Sequence, residues 1–365
     1  MSGTNRAGQL ARAVLAIDRT APPAPRALAI GALGMGVPVA AGLLLGQPHA
    51  GFLIGLGAVL LAGGPAEPGT ETSGGTGARL VGMALPALAA VAAATLLARL
   101  PAPDTARILL ITIAALAVNH SRPLAAAAIR FNIYLVLGGS LLDGGPGHGG
   151  SAALIFGLGA LWNILLRLLL DKGRPAAPAA APARRAPTPA QRRTYFRRQI
   201  RTLAGWQFPL RLAIGLGIAS LLRHAFPAHH YYWIVLTVAL LTEVRIEPLP
   251  TKTLQRLLGT LGGVALAWLL FALASGPVAL GIVAAILAAL VAVARARSYL
   301  LYAILSAPLI LLVLDLGKPV AAGLLIDRLV ATLAAGAIVV ALNLLFERLP
   351  LTAPATPRRA PPSGR

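Results

Sequence analysis

The stretch "LLTEVRIEPLPTKTLQRLLGT", residues 240–260, places Glu243, Arg245, Glu247, Lys252 and Arg256 between two long apolar runs. Pro248 and Pro250 interrupt it. Proline fixes φ, removes an amide donor and pushes the preceding residue out of the helical region. The chain is therefore expected to leave one helix, turn through an extended segment and enter another. Thr251 has the side chain to cap the second helix. Upstream, "YYWIVLTVALLTEV" (231–244) opens on Tyr231, Tyr232 and Trp233, residues that favour a membrane–water interface. Downstream, Arg256, Gly259, Thr260 and Gly263 fall at i, i+3, i+4 and i+7 and share one helix face. Gly259 and Gly263 form a small-xxx-small pair that lets a neighbouring helix approach closely. The stretch reads as a charged hairpin at one membrane boundary.

Working outward, the 365-residue chain is 57% hydrophobic and only 12% charged, half the charge of an average soluble domain. That balance belongs to an all-α integral membrane protein. With no cysteine, disulfides and thiolate chemistry are excluded. The Ala, Gly, Pro and Arg bias suits a GC-rich bacterial genome. A net charge of +21 invites a nucleic-acid reading, but its distribution argues against one. Lys172, Arg174, Arg184, Arg185, Arg192, Arg193, Arg197, Arg198 and Arg201 crowd one linker against the single acid Asp171. Arginines also mark both terminal tails. Lys and Arg concentrated beside spans mark the cytoplasmic side and attract anionic lipid headgroups.

Apolar runs place twelve spans at residues 27–47, 50–63, 79–99, 105–118, 123–142, 151–170, 207–223, 230–244, 253–274, 277–294, 298–316 and 320–346. A full crossing takes about 20 apolar residues. The short runs 50–63 and 105–118 are expected to be tilted, broken or re-entrant, and ten or eleven crossings is the competing count. The loops "GQPHA", "LPAPDT", "LDGGPGHGG" and "LASGP" carry almost no Lys or Arg, which puts them outside and both termini inside. The resulting layout is a tail (1–26), a six-helix unit (27–170), a basic Ala/Pro/Arg-rich linker (171–206), a second six-helix unit (207–347) and a disordered cytoplasmic tail (348–365).

The halves echo one another. "LAIGALGMG" (28–36) matches "LAIGLGIAS" (212–220), "RLVGMALPALA" (79–89) matches "RLLGTLGGVALA" (256–267), and "WNILLRL" (162–168) matches "LNLLFER" (342–348), at nearly constant offset. An even number of spans between equivalent points gives both halves one orientation. That is a parallel repeat about an axis along the membrane normal, and transporters place pathways at such interfaces.

The aromatic span, charged turn and Arg-x-x-Gly-Thr-x-x-Gly string, carried by Trp233, Thr237, Thr251, Arg256, Gly259, Thr260 and Gly263, resemble the fusaric acid resistance protein family. The six-helix unit is similar to that of the aluminium-activated malate transporters. The first repeat keeps Arg79 and Gly82 but has no counterpart of the Trp or the Thr, and the linker is shorter than the cytoplasmic domains of many relatives. The resemblance implies export of organic anions, aromatic carboxylic acids in particular, across a bacterial inner membrane. The partners it implies are the bilayer, the anion, and a second copy of the chain or an accessory efflux subunit.

Ionisable residues inside spans tend to face a cavity, a pathway or a partner. Arg130, Arg211 and Arg328 are expected in or near inner halves of spans and Arg107 near an outer end, with Asp327 the one acid beside them. Excess Arg suits an anion path, because guanidinium binds carboxylate through two parallel hydrogen bonds; snorkelling to headgroups is the plainer role. "AAAAIRFNIYLV" sets Arg130, Asn132 and Tyr134 close together in one span. Glu243 and Glu247 are read as partners of Arg245, Lys252 and Arg256 in a turn network or as proton carriers. The candidate substrate or gate residues are thus Arg79, Arg130, Asn132, Tyr134, Arg211, Glu243, Glu247, Arg256 and Thr260, with Gly259 and Gly263 for packing. His224, His229 and His230 share one outer loop with no carboxylate expected near, and loop histidines are commonly solvated, so no metal is assigned. "GGPAEPGTETSGGTG" follows an apolar span and precedes no soluble strand, so it is not read as a phosphate loop. No catalytic constellation and no cofactor motif is found. A membrane scaffold with a basic docking linker and a passive anion channel are the alternative readings.

Overall fold

The computed structural model describes residues 3–18, 20, 25–62, 76–142, 149–170, 188–246, 251–274, 276–314 and 322–349. Among these residues the chain is helical and holds no strand. The first half runs α1 (Gly3–Val14), α2 (Pro25–Leu44), α3 (Pro48–Ala62), α4 (Thr76–Leu97), α5 (Pro103–Ala115, continued by a 3-10 turn at Leu116–Asn119), α6 (Arg122–Leu142) and α7 (Gly149–Leu170). After α8 (Pro189–Gln199) come α9 (Leu203–Ala225), α10 (Tyr232–Leu241), α11 (Thr251–Leu273), α12 (Pro277–Arg297), α13 (Tyr299–Leu314) and α14 (Ala322–Arg348).

Each of the twelve expected spans coincides with one of α2–α7 or α9–α14. Five helices, α2, α9, α11, α12 and most of α14, are long and apolar enough to cross a bilayer. Those five are counted among the described residues; α4 and α7 are 22 residues each, and α10 is the shortest at 10 residues. The surface suits lipid. Leu221 on α9, Leu261 and Trp268 on α11, Ile282 on α12 and Leu333 on α14 point outward, while arginines are buried within. In water such exposed apolar stripes would drive association; in hydrocarbon they are the natural exterior. The chain is a multi-pass membrane protein.

Two helices lie outside the expected spans. In the linker, α8 starts with a capping box: the Thr188 side chain accepts from the Gln191 amide, and the Gln191 side chain accepts from the Thr188 amide, with Pro189 in the first turn. Most of its arginines are exposed. In the tail, α1 docks on α11, where Gln255 Nε2 donates to the Val14 carbonyl at 3.0 Å. The helix before the charged hairpin stops at Leu241, ahead of its prolines, and Thr251 is the first residue of α11. Glu247, both hairpin prolines and residues 350–365 lie outside the described residues, as does the side chain of Arg79.

Small residues set the helix contacts. A Cβ on Gly51 would lie 2.5 Å from the Pro38 carbonyl oxygen, closing α2 onto α3. One on Gly57 would overlap the Phe156 carbonyl, and one on Gly159 the Ile54 carbonyl, locking α3 to α7. On α11, Gly259 abuts Ala303, and a Cβ on Gly263 would meet Ala307 of α13 at 2.7 Å. Where lipid removes the hydrophobic drive between helices, such close approach supplies the packing energy.

Matching α2–α7 to α9–α14 in order, most neighbours recur. α2 packs on α3 as α9 does on α10, α3 on α7 as α10 on α14, α4 on α6 as α11 on α13, and α4 on α7 as α11 on α14. Contacts between the halves exchange in the same way: α2–α12 answers α9–α5, and α3–α13 answers α10–α6.

The glycine contacts yield a test. Gly57→Ala is expected to cost about 1–3 kcal/mol through overpacking and to lower the unfolding temperature of the purified protein in detergent. Gly217→Ala, whose Cβ meets nothing within 4 Å, is expected to leave it unchanged or raise it.

Candidate functional site

The short α10 ends at Leu241, and the chain beyond it presents carbonyls that need donors. Arg211 of α9 supplies some. Its Nη2 donates to the carbonyls of Glu243 (2.8 Å) and Val244 (3.2 Å), and its Nη1 to Asn343 Oδ1 of α14 (2.5 Å). The side chain is almost fully buried. The Glu243 carboxylate takes an ion pair from Lys252 in the first turn of α11, and the Lys252 ammonium also lies over the Tyr299 ring, 5.3 Å from its centroid. Five helices are thereby tied at one end of the bundle. Arg211 and Glu243 are framework here; Glu243 answers Lys252, and no ion pair joins it to Arg256.

One turn beyond Lys252 the arrangement changes. Arg256 is 1% exposed, and its Nε and Nη2 have no hydrogen-bond partner among the described residues. Thr260, one turn further along α11, is equally buried and its hydroxyl is also unpartnered. A Cβ on Gly336 of α14 would lie 3.2 Å from Thr253 Cγ2, so α11 and α14 cross beside this face. Thr237 in mid-α10 is fully buried with no partner for its hydroxyl. Nearer the start of α10, the Arg328 guanidinium lies over the buried Trp233 ring at 3.6 Å, a close cation–π contact. Beyond it, His229 Nδ1 and His230 Nδ1 sit 2.8 and 3.0 Å from the two oxygens of Asp327, and the His230 amide donates to the same carboxylate.

Two sequence expectations are corrected here. Arg328 does not lie at the Arg211 end. Asp327 and Asn343 are 16 positions apart on α14, roughly 24 Å at 1.5 Å per residue, and they meet opposite ends of α10. Nor do the loop histidines lack a carboxylate: Asp327, nearly a hundred residues away in sequence, meets two of them. Among the described residues no group of three or more His, Cys, Asp or Glu is arranged to hold a metal.

In the first half, Asn132 is turned away from Arg130 and Tyr134, which lie one turn apart on a shared face of α6. Residues two apart on a helix point to different faces. Tyr134 turns to α3 and α7, where its hydroxyl donates to the Gly57 carbonyl (2.7 Å) and its ring packs on Phe156. Arg130, one turn back, is half-buried and its Nε has no partner among the described residues. Asn132 is 5% exposed, and neither amide atom has a partner. Asn163 was missed by sequence reasoning: its Nδ2 donates to the Ala58 carbonyl (3.0 Å), while its Oδ1 accepts from Arg167 (2.9 Å). It holds the position in "WNILLRL" that Asn343 holds in "LNLLFER", and the shared Asn was the signal. Thr237 and the Trp233–Arg328 stack were likewise visible as residues, but their burial and pairing were not.

Residues 214–342 match the sequence profile of a family described as fusaric acid resistance protein-like. The matched region contains Trp233, Thr237, Arg256, Thr260 and Arg328, and stops just short of Arg211 and Asn343. No curated protein and no solved structure matches the chain.

The two buried arginines should part company in stability. Arg211→Met leaves three acceptors without their donor, at about 1–3 kcal/mol for each group left unsatisfied, and is expected to lower the unfolding temperature in detergent markedly. Arg256→Met removes a charge whose donors are unmet and is expected to be neutral or stabilising in the same assay.

Proposed function

We propose that this fusaric acid resistance protein-like chain is a transporter that exports small organic anions, aromatic carboxylic acids among them, across a bacterial inner membrane. Twelve helices cross or enter the bilayer as two parallel six-helix repeats, with both termini and the basic linker on the cytoplasmic side. The positive-inside distribution supports that orientation, and the recurring helix neighbours support the repeat.

The observation that carries the reading is Arg256. A guanidinium withdrawn from water without partners is costly, by several kcal/mol even after relaxation. Its two unpartnered nitrogens, Nε and Nη2, bear the N–H bonds that lie parallel along one edge of the guanidinium plane. That edge matches the two oxygens of a carboxylate, the bidentate geometry arginine makes best. Cargo binding therefore completes a site that the protein leaves open. Thr260 adds a hydroxyl one turn along, and Thr237 and the Trp233–Arg328 stack continue the polar column toward the far end of α10. A scaffold would be expected to pack its interior with apolar groups; this interior keeps unpartnered hydroxyls and an unpartnered guanidinium edge.

Flux of benzoate into proteoliposomes, with and without a pH gradient, tests the assignment and separates driven from passive transport. Arg256→Ala is expected to insert normally and lower flux about tenfold or more, the cost of a lost charge-assisted contact. Arg256→Lys, which keeps the charge and loses the fork, should fall between. Full flux in Arg256→Lys would mean that Arg256 serves only as an anchor at the headgroups.

A further inference from the structure

At the end of the bundle remote from Arg256, a pocket opens between α5 and α6 of the first half and α9 and α10 of the second. Its walls are apolar, formed by Ile108, Ile111, Val136, Leu216 and Val235. Its mouth is polar and centres on Asp104. Arg107 Nη1 donates to Asp104 Oδ1 at 3.0 Å and Ser220 Oγ to Oδ2 at 3.0 Å, while Arg223 and His224 approach Oδ2 to 4.0 and 3.7 Å. One carboxylate thus meets two guanidinium groups and an imidazole. The site is built rather than superficial. Arg107 is 6% exposed and lies flat on Gly139 of α6, where a Cβ would come within 3.1 Å of the guanidinium. Asn132, buried and unpartnered, stands one turn deeper than Val136 on the same α6 face.

The repeat supplies a contrast. The equivalent contact, α2 on α12, is closed by small residues: a Cβ on Gly31 would lie 2.5 Å from the Ala288 carbonyl oxygen, and one on Gly281 2.8 Å from Val39. The α5–α9 contact is instead bridged by a carboxylate held by basic groups above an apolar hollow.

We propose that this pocket, at about 30 Å³ too small for a ring as it stands, opens into a second anion site for a monocarboxylate with an apolar body when an incoming carboxylate displaces Asp104, its resident occupant, from Arg107 and Arg223. The proposal rests on the organic-anion reading for its biological cargo, but the site is defined by its own residues. Displacement swings Asp104 away from Ser220 and so loosens a link between the two halves. An internal carboxylate keeps affinity low, as a site that releases cargo requires.

The test is equilibrium binding of radiolabelled benzoate to the full-length protein in detergent, in an Arg256→Ala background so that the first site does not contribute. Weak binding is expected there, strengthened about tenfold by adding Asp104→Asn and abolished by further adding Arg223→Ala. Ser220→Ala, which removes one anchor of Asp104 and leaves its charge, should strengthen binding about twofold to threefold and stands in if Asp104→Asn fails to fold. Citrate should compete poorly, because only one carboxylate fits above an apolar hollow. Unchanged binding in both Asp104→Asn and Ser220→Ala overturns the proposal, as does displacement of benzoate by phosphatidylglycerol added to the micelles, which would assign the mouth to a lipid headgroup. Failure of the first reading shows elsewhere, as undiminished flux in Arg256→Ala.

Discussion

A polar group inside hydrocarbon must find its partner within the protein, and the architecture of this bundle follows from how each buried arginine meets that constraint. Arg211 meets it completely enough to act as framework. By donating to carbonyls beyond the end of α10 and to Asn343, it permits a helix of only 10 residues to stop inside the bundle. Arg328 meets it with the face of Trp233. Arg256 leaves one edge of its guanidinium unmet. The same residue type is thus bonded to carbonyls and Asn343, stacked on an indole, or left with a bare edge within one half, and only the partners distinguish the three.

Glycine makes the constraint tolerable. Close backbone approach at Gly51, Gly57, Gly159, Gly259 and Gly263 brings helices near enough for side chains to reach carbonyls on neighbours, as Tyr134 and Asn163 do on α3. The two halves use this packing unequally. The first half joins α3 and α7 through backbone contacts and bonds Tyr134 and Asn163 to α3, while Asn132 has no partner among the described residues. The second half leaves the hydroxyls of Thr237 and Thr260 and one edge of Arg256 without hydrogen-bond partners among the described residues. Related neighbour patterns hold different interiors, and the family profile falls within the second half.

Much of the fold was legible because apolar run length is a local property. Each of the twelve runs marks a helix, and the spacing of Arg256, Gly259, Thr260 and Gly263 put them on one face, where all four are buried. The helices α1 and α8 escaped because a short polar helix leaves no apolar run; the capping signal Thr188–Pro189–x–Gln191 was present but lay in a segment read as linker. Long-range pairings were not legible. Nothing near Asp327 in sequence announces His229 and His230, and nothing near Arg211 announces Asn343. Proximity along the chain also misled at Asn132, which the helix turns away from the face that Arg130 and Tyr134 share.

The central claim is that the bare edge of Arg256 is reserved for the carboxylate of the cargo. It is tested most directly by locating 4-iodobenzoate bound to the protein, through the anomalous signal of its iodine in crystals. The account predicts a carboxylate within hydrogen-bond distance, about 3 Å, of both Nε and Nη2 of Arg256, with the ring directed toward Thr260 and Thr237. Arg256 bonded to a lipid phosphate or to protein carbonyls, with iodine absent from its surroundings, would contradict it.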